Sequence, residues 1–282
     1  MVHALCMRCT RSSALDEMRG KIAMDTMRES RVLRKLRRGN AVHVASSLPE
    51  AWSVELMGLL DFDCAWIDSE HNEMPESVSS LAVAGRAADI DTMIRIRNQG
   101  NTDYFRFLEV GCTGILVPHC DSPTTARQIV KGARFPPLGR RSLGGLGADA
   151  AYGLVPLPEY LAQANNKTFV AVQIESREAV AAVDEIAAIE GVDLLFVGPG
   201  DLTLDLGCPG EFEHPELQSA LHRVNQAATN AGKWWGLPVG TPDRAKFVLD
   251  LGARFIVFGS AKGLLINGYK SLRDTWCALQ TD

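Results

Sequence analysis

The chain has 282 residues, 46% hydrophobic and 22% charged, with a formal net charge of −5. That acidic balance excludes a protein organised around a basic nucleic-acid-binding face. No apolar run approaches the roughly 20 residues that cross a bilayer, and the length suits one large α/β domain of about 250 residues.

The first forty residues carry Arg8, Arg11, Arg19, Arg28, Arg31, Arg34, Arg37 and Arg38 but no apolar core of a secretory signal. The expectation is an N-terminal extension over 1–30, poorly ordered, leading into a helix from about Met24. Met18, Met24 and Met27 are alternative starts. The seven cysteines are odd in number and dispersed, which points to a reducing cytoplasm rather than a disulfide framework. Cys6 and Cys9 form a CxxC without the second ligand pair a zinc site needs.

From Ala41 the chain alternates short apolar runs with helix-length segments. The strands are expected at 41–47, 64–68, 92–96, 114–118, 168–174, 193–198, 233–239 and 254–259. Most are continuously apolar, as strands buried on both faces are. Helices are expected in LPEAWSVELMGLL, PESVSSLAVAGRAA (Pro75 in its first turn), SPTTARQIVKGA, SREAVAAVDEIAAI, HPELQSALHRVNQAATNAG and TPDRAKFVLDLG. Gly111, Gly191 and Gly252 follow helices as C-caps. Eight such units give a (β/α)8 TIM barrel over 31–260, with a doubly wound open sheet as the competing architecture. A C-terminal helix follows over 261–282. One Pro/Gly-rich insertion, 134–165, breaks the rhythm after the fourth strand.

In a barrel, functional groups stand at the C-terminal ends of strands. Asp68 and His71 end the second strand, Arg95 closes the third, Glu175 follows the fifth, and Asp201 follows the sixth in VGPGDLT. Glu175 and Asp201 are either a pair of hard oxygen ligands for a divalent cation or helix first-turn acids. GPGD is either an anion cradle or a tight turn. His71 is either a general base oriented by Asp68 or a solvated histidine. His119 is a weaker candidate; His43, His214 and His222 read as structural. Arg95, inside an apolar run, needs a partner; it is either structural or an enolate-stabilising cation, and Arg97 is not separable from it. No lysine ends a central strand, which argues against a Schiff-base route.

Taken in order, WIDSEH, MIRIRN, FLEVG, GILVPH, RFPPLGRRS, VQIESREA and FVGPGDLT resemble the HpcH/HpaI-type class II pyruvate aldolase family over about Leu36 to Gly263. The resemblance implies a barrel of the phosphoenolpyruvate/pyruvate type, dependent on Mg²⁺, Mn²⁺ or Co²⁺, in which pyruvate chelates the ion and its enolate adds to an aldehyde. By position it implies Glu175 and Asp201 as metal ligands, His71 as base and Arg95 as the residue that steadies the enolate. It likewise implies Gln173 as a pyruvate contact, and Gly200 and Asp201 as the backbone holding the pyruvate carboxylate. Glu109 stands where the family has an aspartate that acts on the histidine from a neighbouring subunit, and Gly200 where alanine is common. A homo-oligomer is implied, a hexamer or trimer of dimers, with exchanged C-terminal helices. The alternatives are a CoA-ester lyase or phosphoenolpyruvate mutase-like enzyme on the same barrel, with Arg134, Arg140 and Arg141 as docking surface, or a non-catalytic oxyacid-binding barrel. Under the aldolase reading, Arg140 and Arg141 shape the aldehyde end, and Trp234 or Trp235 lends an indole to the pocket.

Overall fold

The computed structural model describes residues 26–74, 77–97 and 104–280. The Cys6–Cys9 motif and Pro75 lie outside the described residues.

Eight parallel strands close into a barrel in sequence order: β1 Val42–Ser46, β2 Cys64–Asp68, β3 Asp91–Arg95, β4 Gly114–Val117, β5 Phe169–Ile174, β6 Leu194–Val197, β7 Trp234–Val239 and β8 Phe255–Ser260. β8 pairs back onto β1, so the open-sheet alternative is excluded. Side chains alternate across each strand. Val44, Trp66, Met93, Leu116, Ala171, Phe196 and Phe255 fill the barrel interior. Their neighbours Ala45, Ile67, Ile94, Ile115, Val172 and Leu195 meet the surrounding helices. Burial on both faces explains the continuous apolar runs in the sequence.

The helices in chain order are α1 Arg31–Arg37, α2 Ala51–Leu59, α3 Val78–Ala87, α4 Phe105–Glu109, α5 Pro123–Ala133, α6 Leu157–Lys167, α7 Arg177–Ala181, α8 Val183–Ala187, α9 Pro199–Asp205, α10 Pro215–Asn230, α11 Pro242–Leu251 and α12 Ala261–Ala278. Several expectations are corrected. The helix placed near Met24 starts at Arg31, where the Ser30 hydroxyl caps it by accepting from the Leu33 N–H at 3.0 Å. α3 starts at Val78 with Ser77 as its cap, not at Pro75. The SREAVAAVDEIAAI helix is two short helices meeting at Ala182. The 134–165 insertion is not one open loop: it holds 3-10 turns over Ala148–Gly153 and then enters α6.

α1 closes the N-terminal end of the barrel. Val32, Leu33 and Leu36 join the interior cluster, and the polar groups around them are tied to the starts of two strands. Asp63 accepts from Arg31 Nε at 3.0 Å and from Lys35 Nζ at 2.9 Å. Asp91, 0% exposed, accepts from Ser30 Oγ at 2.6 Å, Arg28 Nη1 at 2.7 Å and the Val32 N–H at 2.9 Å. Asp91→Ala strands several buried donors at once. It is expected to cost about 3–5 kcal/mol, the range for breaking one side of a buried ionic network, seen as a lower midpoint in urea with an unchanged slope.

Arg134 serves the same end of the barrel. It is buried and donates to the carbonyls of Gly191, Asn165 and Thr168 at 3.0–3.1 Å and to the Asp193 carboxylate. Arg141 is buried against Asp149 at 2.7 Å and lies over the Phe135 ring at 4.6 Å. Both guanidinium groups are committed inside the fold, so the basic docking surface expected of Arg134, Arg140 and Arg141 does not form.

Candidate active site

At the C-terminal mouth of the barrel, the register pairs Asp68 of β2 with Arg95 of β3. Their side chains form a two-pronged ion pair, Nε to Oδ1 at 2.9 Å and Nη2 to Oδ2 at 2.7 Å. Arg95 is 7% exposed. Its third nitrogen, Nη1, meets Glu70 Oε2 at 3.1 Å, and its Cζ lies 4.9 Å from the centroid of the Trp66 ring. The cation is therefore fixed on three sides before any ligand arrives. Burial alone would raise the Asp68 carboxyl; the hydrogen bond and charge of Arg95 overcome this and hold it below the ordinary carboxylate value.

Asp68 does not orient the His71 ring, as its spacing suggested. Its carboxylate is occupied by Arg95 and by Asn72 Nδ2 at 3.2 Å, and it reaches His71 only through the backbone N–H at 3.5 Å. The carboxylate beside the His71 ring is Glu70, with Oε2 at 3.7 Å from Nε2. Glu70 joins Arg95, His71 and, through Oε1 at 3.6 Å, His119. Its position two residues past an inward-facing strand residue was the signal available.

Gln173 and Glu175 continue the inward face of β5. Glu175 is 4% exposed. One oxygen accepts from the His119 N–H at 2.6 Å, with the His119 ring Nδ1 at 3.2 Å; the other accepts from Gln173 Nε2. Burial pushes the Glu175 carboxyl above its ordinary value; these contacts oppose that, and the neighbouring Asp201 charge adds to it. His119 holds its place with a left-handed backbone, φ 54°, a conformation that costs energy and collects at functional sites. A Cβ at position 198 would stand 2.6 Å from Glu175 Oε2, so only glycine lets β6 end this close to it.

His71, Arg95, Gln173, Gly200 and Asp201 line one cavity of about 480 Å³, with Trp66 and Phe196 beneath. A Cβ at Gly200 would meet nothing within 4 Å, so the backbone there is open with or without a methyl group. Other expectations fall outside this cavity. Arg97 is exposed and lines a separate pocket with Ser77 and Tyr104. Trp235 packs in the outer core with its indole N–H on Asn225 at 2.9 Å, and Trp234 packs against the interior cluster. The pocket's indole is Trp66. Arg140 and Arg141 do not line it. Glu109 lies under the insertion, where a Cβ on Gly144 would come within 2.4 Å of its Oε1, and touches no residue of the cavity by any described contact.

The donor chemistry fits a divalent cation. Glu175 is a buried carboxyl group close enough to Asp201 to feel its charge, and Gln173 Oε1 is buried with no hydrogen-bond partner. Among the described residues no three His, Cys, Asp or Glu groups converge on one point. Two hard oxygens with the rest of the shell from solvent or substrate is the usual arrangement for Mg²⁺ or Mn²⁺.

Residues 50–268 match the model of the HpcH/HpaI aldolase/citrate lyase family. The chain is 35% identical to a 4-hydroxy-2-oxo-heptane-1,7-dioate aldolase from Shigella sonnei, across 80% of this chain and 86% of that one. It is 30% identical to a hydroxypyruvate/pyruvate aldolase from Roseobacter denitrificans, across 82% and 90%. Among solved structures, an HpcH/HpaI aldolase from Desulfitobacterium hafniense superposes with a TM-score of 0.80 at 26% identity, across 86% and 95%. On these matches the chain is a carbon–carbon lyase and belongs to the HpcH/HpaI aldolase/citrate lyase family.

Proposed function

We propose that this chain is a divalent-metal-dependent pyruvate aldolase that cleaves or forms the C–C bond of a 4-hydroxy-2-oxo acid, with pyruvate and an aldehyde as the pieces. The observation that carries the reading is Arg95: a buried cation, held by Asp68 and Glu70, on the wall of the cavity that also holds Gln173 and Asp201. Such a preset cation stabilises negative charge that develops in the reaction.

Glu175 and Asp201 would hold the divalent ion, Mg²⁺, Mn²⁺ or Co²⁺, which when bound supplies Lewis-acid polarisation of the keto acid. The first-turn N–H groups of Gly200 and Asp201 lack intrahelical acceptors and hold the pyruvate carboxylate, with the Gln173 carboxamide alongside. In the synthetic direction, the His71 imidazole accepts a proton from the pyruvate methyl group. The C–H electron pair becomes the enolate double bond, and Arg95 faces the enolate oxygen. The enolate carbon then bonds to the aldehyde carbon, whose oxygen takes up the proton. Cleavage reverses each step. Glu70 keeps the His71 ring beside a carboxylate in both directions. Glu109 acts from a neighbouring copy to raise the basicity of the histidine; its buried, unpartnered Oε1 supports this.

The oligomer is a hexamer, a trimer of dimers, with exchanged C-terminal helices. In support, none of the residues of α12 is buried, and Leu264, Tyr269, Leu272 and Trp276 stand exposed on it. The compartment is the cytoplasm, in keeping with Cys64, Cys112, Cys120, Cys208 and Cys277 as free thiols; no described helix is long and apolar enough to cross a membrane.

The reading is tested by incubating the Mg²⁺-loaded protein with racemic 4-hydroxy-2-oxo acids of increasing length and measuring released pyruvate. Release that stops on chelation is expected; turnover unaffected by exhaustive chelation contradicts the metal-dependent mechanism.

A further inference from the structure

β3 and β7 stand opposite one another in the closed eight-strand order. The rim opposite Arg95 therefore belongs to the segment after β7, and it carries a second cation. Arg244 lines the same cavity as Arg95 and Gln173 and is 9% exposed. It lies in the first turn of α11, where its N–H is capped by the Thr241 hydroxyl at 3.2 Å. The positive end of a helix favours acids there and disfavours a cation. A buried arginine set against this local preference is the kind of conflict that marks functional positions.

The guanidinium is held in place without being neutralised in full. Its Cζ lies 4.8 Å from the centroid of Phe247, and Nη1 donates to Gln218 Oε1 at 3.1 Å. The carboxylate it meets is Glu213, with Oε2 at 3.3 Å, on a side chain 81% exposed. Among the described residues Nε and Nη2 have no partner. Between the two rims the cavity wall is apolar, made by Phe196, Leu237 and Val239. Burial pulls the guanidinium below its ordinary value and the Glu213 charge works against that; arginine stays charged all the same.

We infer that Arg244 is the specificity-determining residue for the aldehyde partner: it selects aldehydes whose chain ends in a carboxylate, and Glu213 is the internal carboxylate that such a substrate displaces. The inference rests on the pyruvate-aldolase reading. Pyruvate takes the Arg95–Gln173 side, the aldehyde carbon meets the enolate in the middle, the alkyl spacer lies along the apolar wall, and the far carboxylate forms a two-pronged pair with Nε and Nη2. Displacing Glu213 is cheap, because a largely exposed partner returns to water.

The test uses the Mg²⁺-loaded full chain with pyruvate and two four-carbon aldehydes, 4-oxobutanoate and butanal, and reads the ratio of their kcat/KM values. Wild type is expected to favour 4-oxobutanoate. Arg244→Gln lowers that ratio about 30-fold or more, as loss of one side of a buried charged pair does. Arg244→Lys restores part of it, since it keeps the charge without the fork. Glu213→Gln raises it by removing the competing carboxylate. Circular dichroism checks the fold, and if Arg244→Gln does not fold, the Lys and Glu213 variants carry the test. A ratio within twofold of wild type in Arg244→Gln, or in both other variants, overturns the inference. So does a wild type that prefers butanal or accepts neither aldehyde while still exchanging pyruvate methyl protons. Failure of that exchange in wild type overturns the underlying aldolase reading instead.

Discussion

Arg95→Ala is expected to slow pyruvate enolisation about 10³-fold, the scale on which removal of one preset oxyanion donor acts. The cost has two sources. The enolate oxygen loses its cation, and Asp68 and Glu70 lose the guanidinium that both contact. Arg95→Lys keeps the charge but not the three-sided fit and falls between the two. The same substitution has a signature in stability. In wild type the Asp68 carboxyl is held below its ordinary value against the pull of burial. A depressed folded value adds stability above the unfolded value, about pH 4, and that stability is lost as pH falls through the folded value. In Arg95→Ala the largest opposition to burial at Asp68 is gone, and only the weaker backbone N–H contacts from Glu70 and His71 still lower its carboxyl. The stability gap between wild type and variant, read by urea unfolding, is therefore expected to narrow from pH 6 to pH 3. A gap independent of pH would mean that the pair adds nothing to folding.

Glu175→Gln is expected to weaken Mg²⁺ or Mn²⁺ binding at least about 100-fold in calorimetry, since even partners outside the coordination shell cost about 10–100-fold when removed. Turnover disappears with it, and Asp201→Asn behaves likewise. Stability separates ligation from a general defect. Burial and the Asp201 charge raise the Glu175 carboxyl in the metal-free protein. A raised folded value means stability that is present at low pH and lost as pH rises through it, so ionised Glu175 is a burden near neutrality. Metal-free Glu175→Gln is then expected to melt at or above metal-free wild type. With the ion added the order reverses, because a ligand that binds only the folded state raises its melting temperature. Equal ion-induced shifts in both proteins would place the ion elsewhere.

The strands were legible because a barrel strand is apolar on both faces: CAWID and the observed Cys64–Asp68 coincide, and KWWGLPV overruns Trp234–Val239 by one residue. Helix starts were less so. Ser30 and Ser77 cap α1 and α3 a few residues after the positions chosen from composition, since a hydroxyl cap is visible only once the following turn is known to be helical. Within the site, strand-end position drew attention to Arg95, Glu175 and Asp201, and the family resemblance to Gln173, but neither told which carboxylate serves which base. Asp68 and Glu70 are two residues apart, and only the register with β3 gives Asp68 to the Arg95 fork and leaves Glu70 next to the His71 ring. Trp66 and Arg244 were missed for opposite reasons. Trp66 is indistinguishable in sequence from a core residue of an apolar strand. Arg244 looks like an ordinary charge on the exposed face of a helix, and burial against Phe247 and Gln218 is a tertiary fact. The paired arginines of the insertion drew attention by their number, yet Arg141 is consumed by Asp149 and Phe135.

The central claim is that this mouth of the barrel enolises pyruvate. Proton NMR of pyruvate in D₂O with catalytic protein tests it before any aldehyde is known. Loss of the methyl signal is expected with Mg²⁺ present, with arrest after chelation and a rate lowered about 10³-fold in Arg95→Ala. A methyl signal that persists with folded, ion-loaded wild-type protein would contradict it.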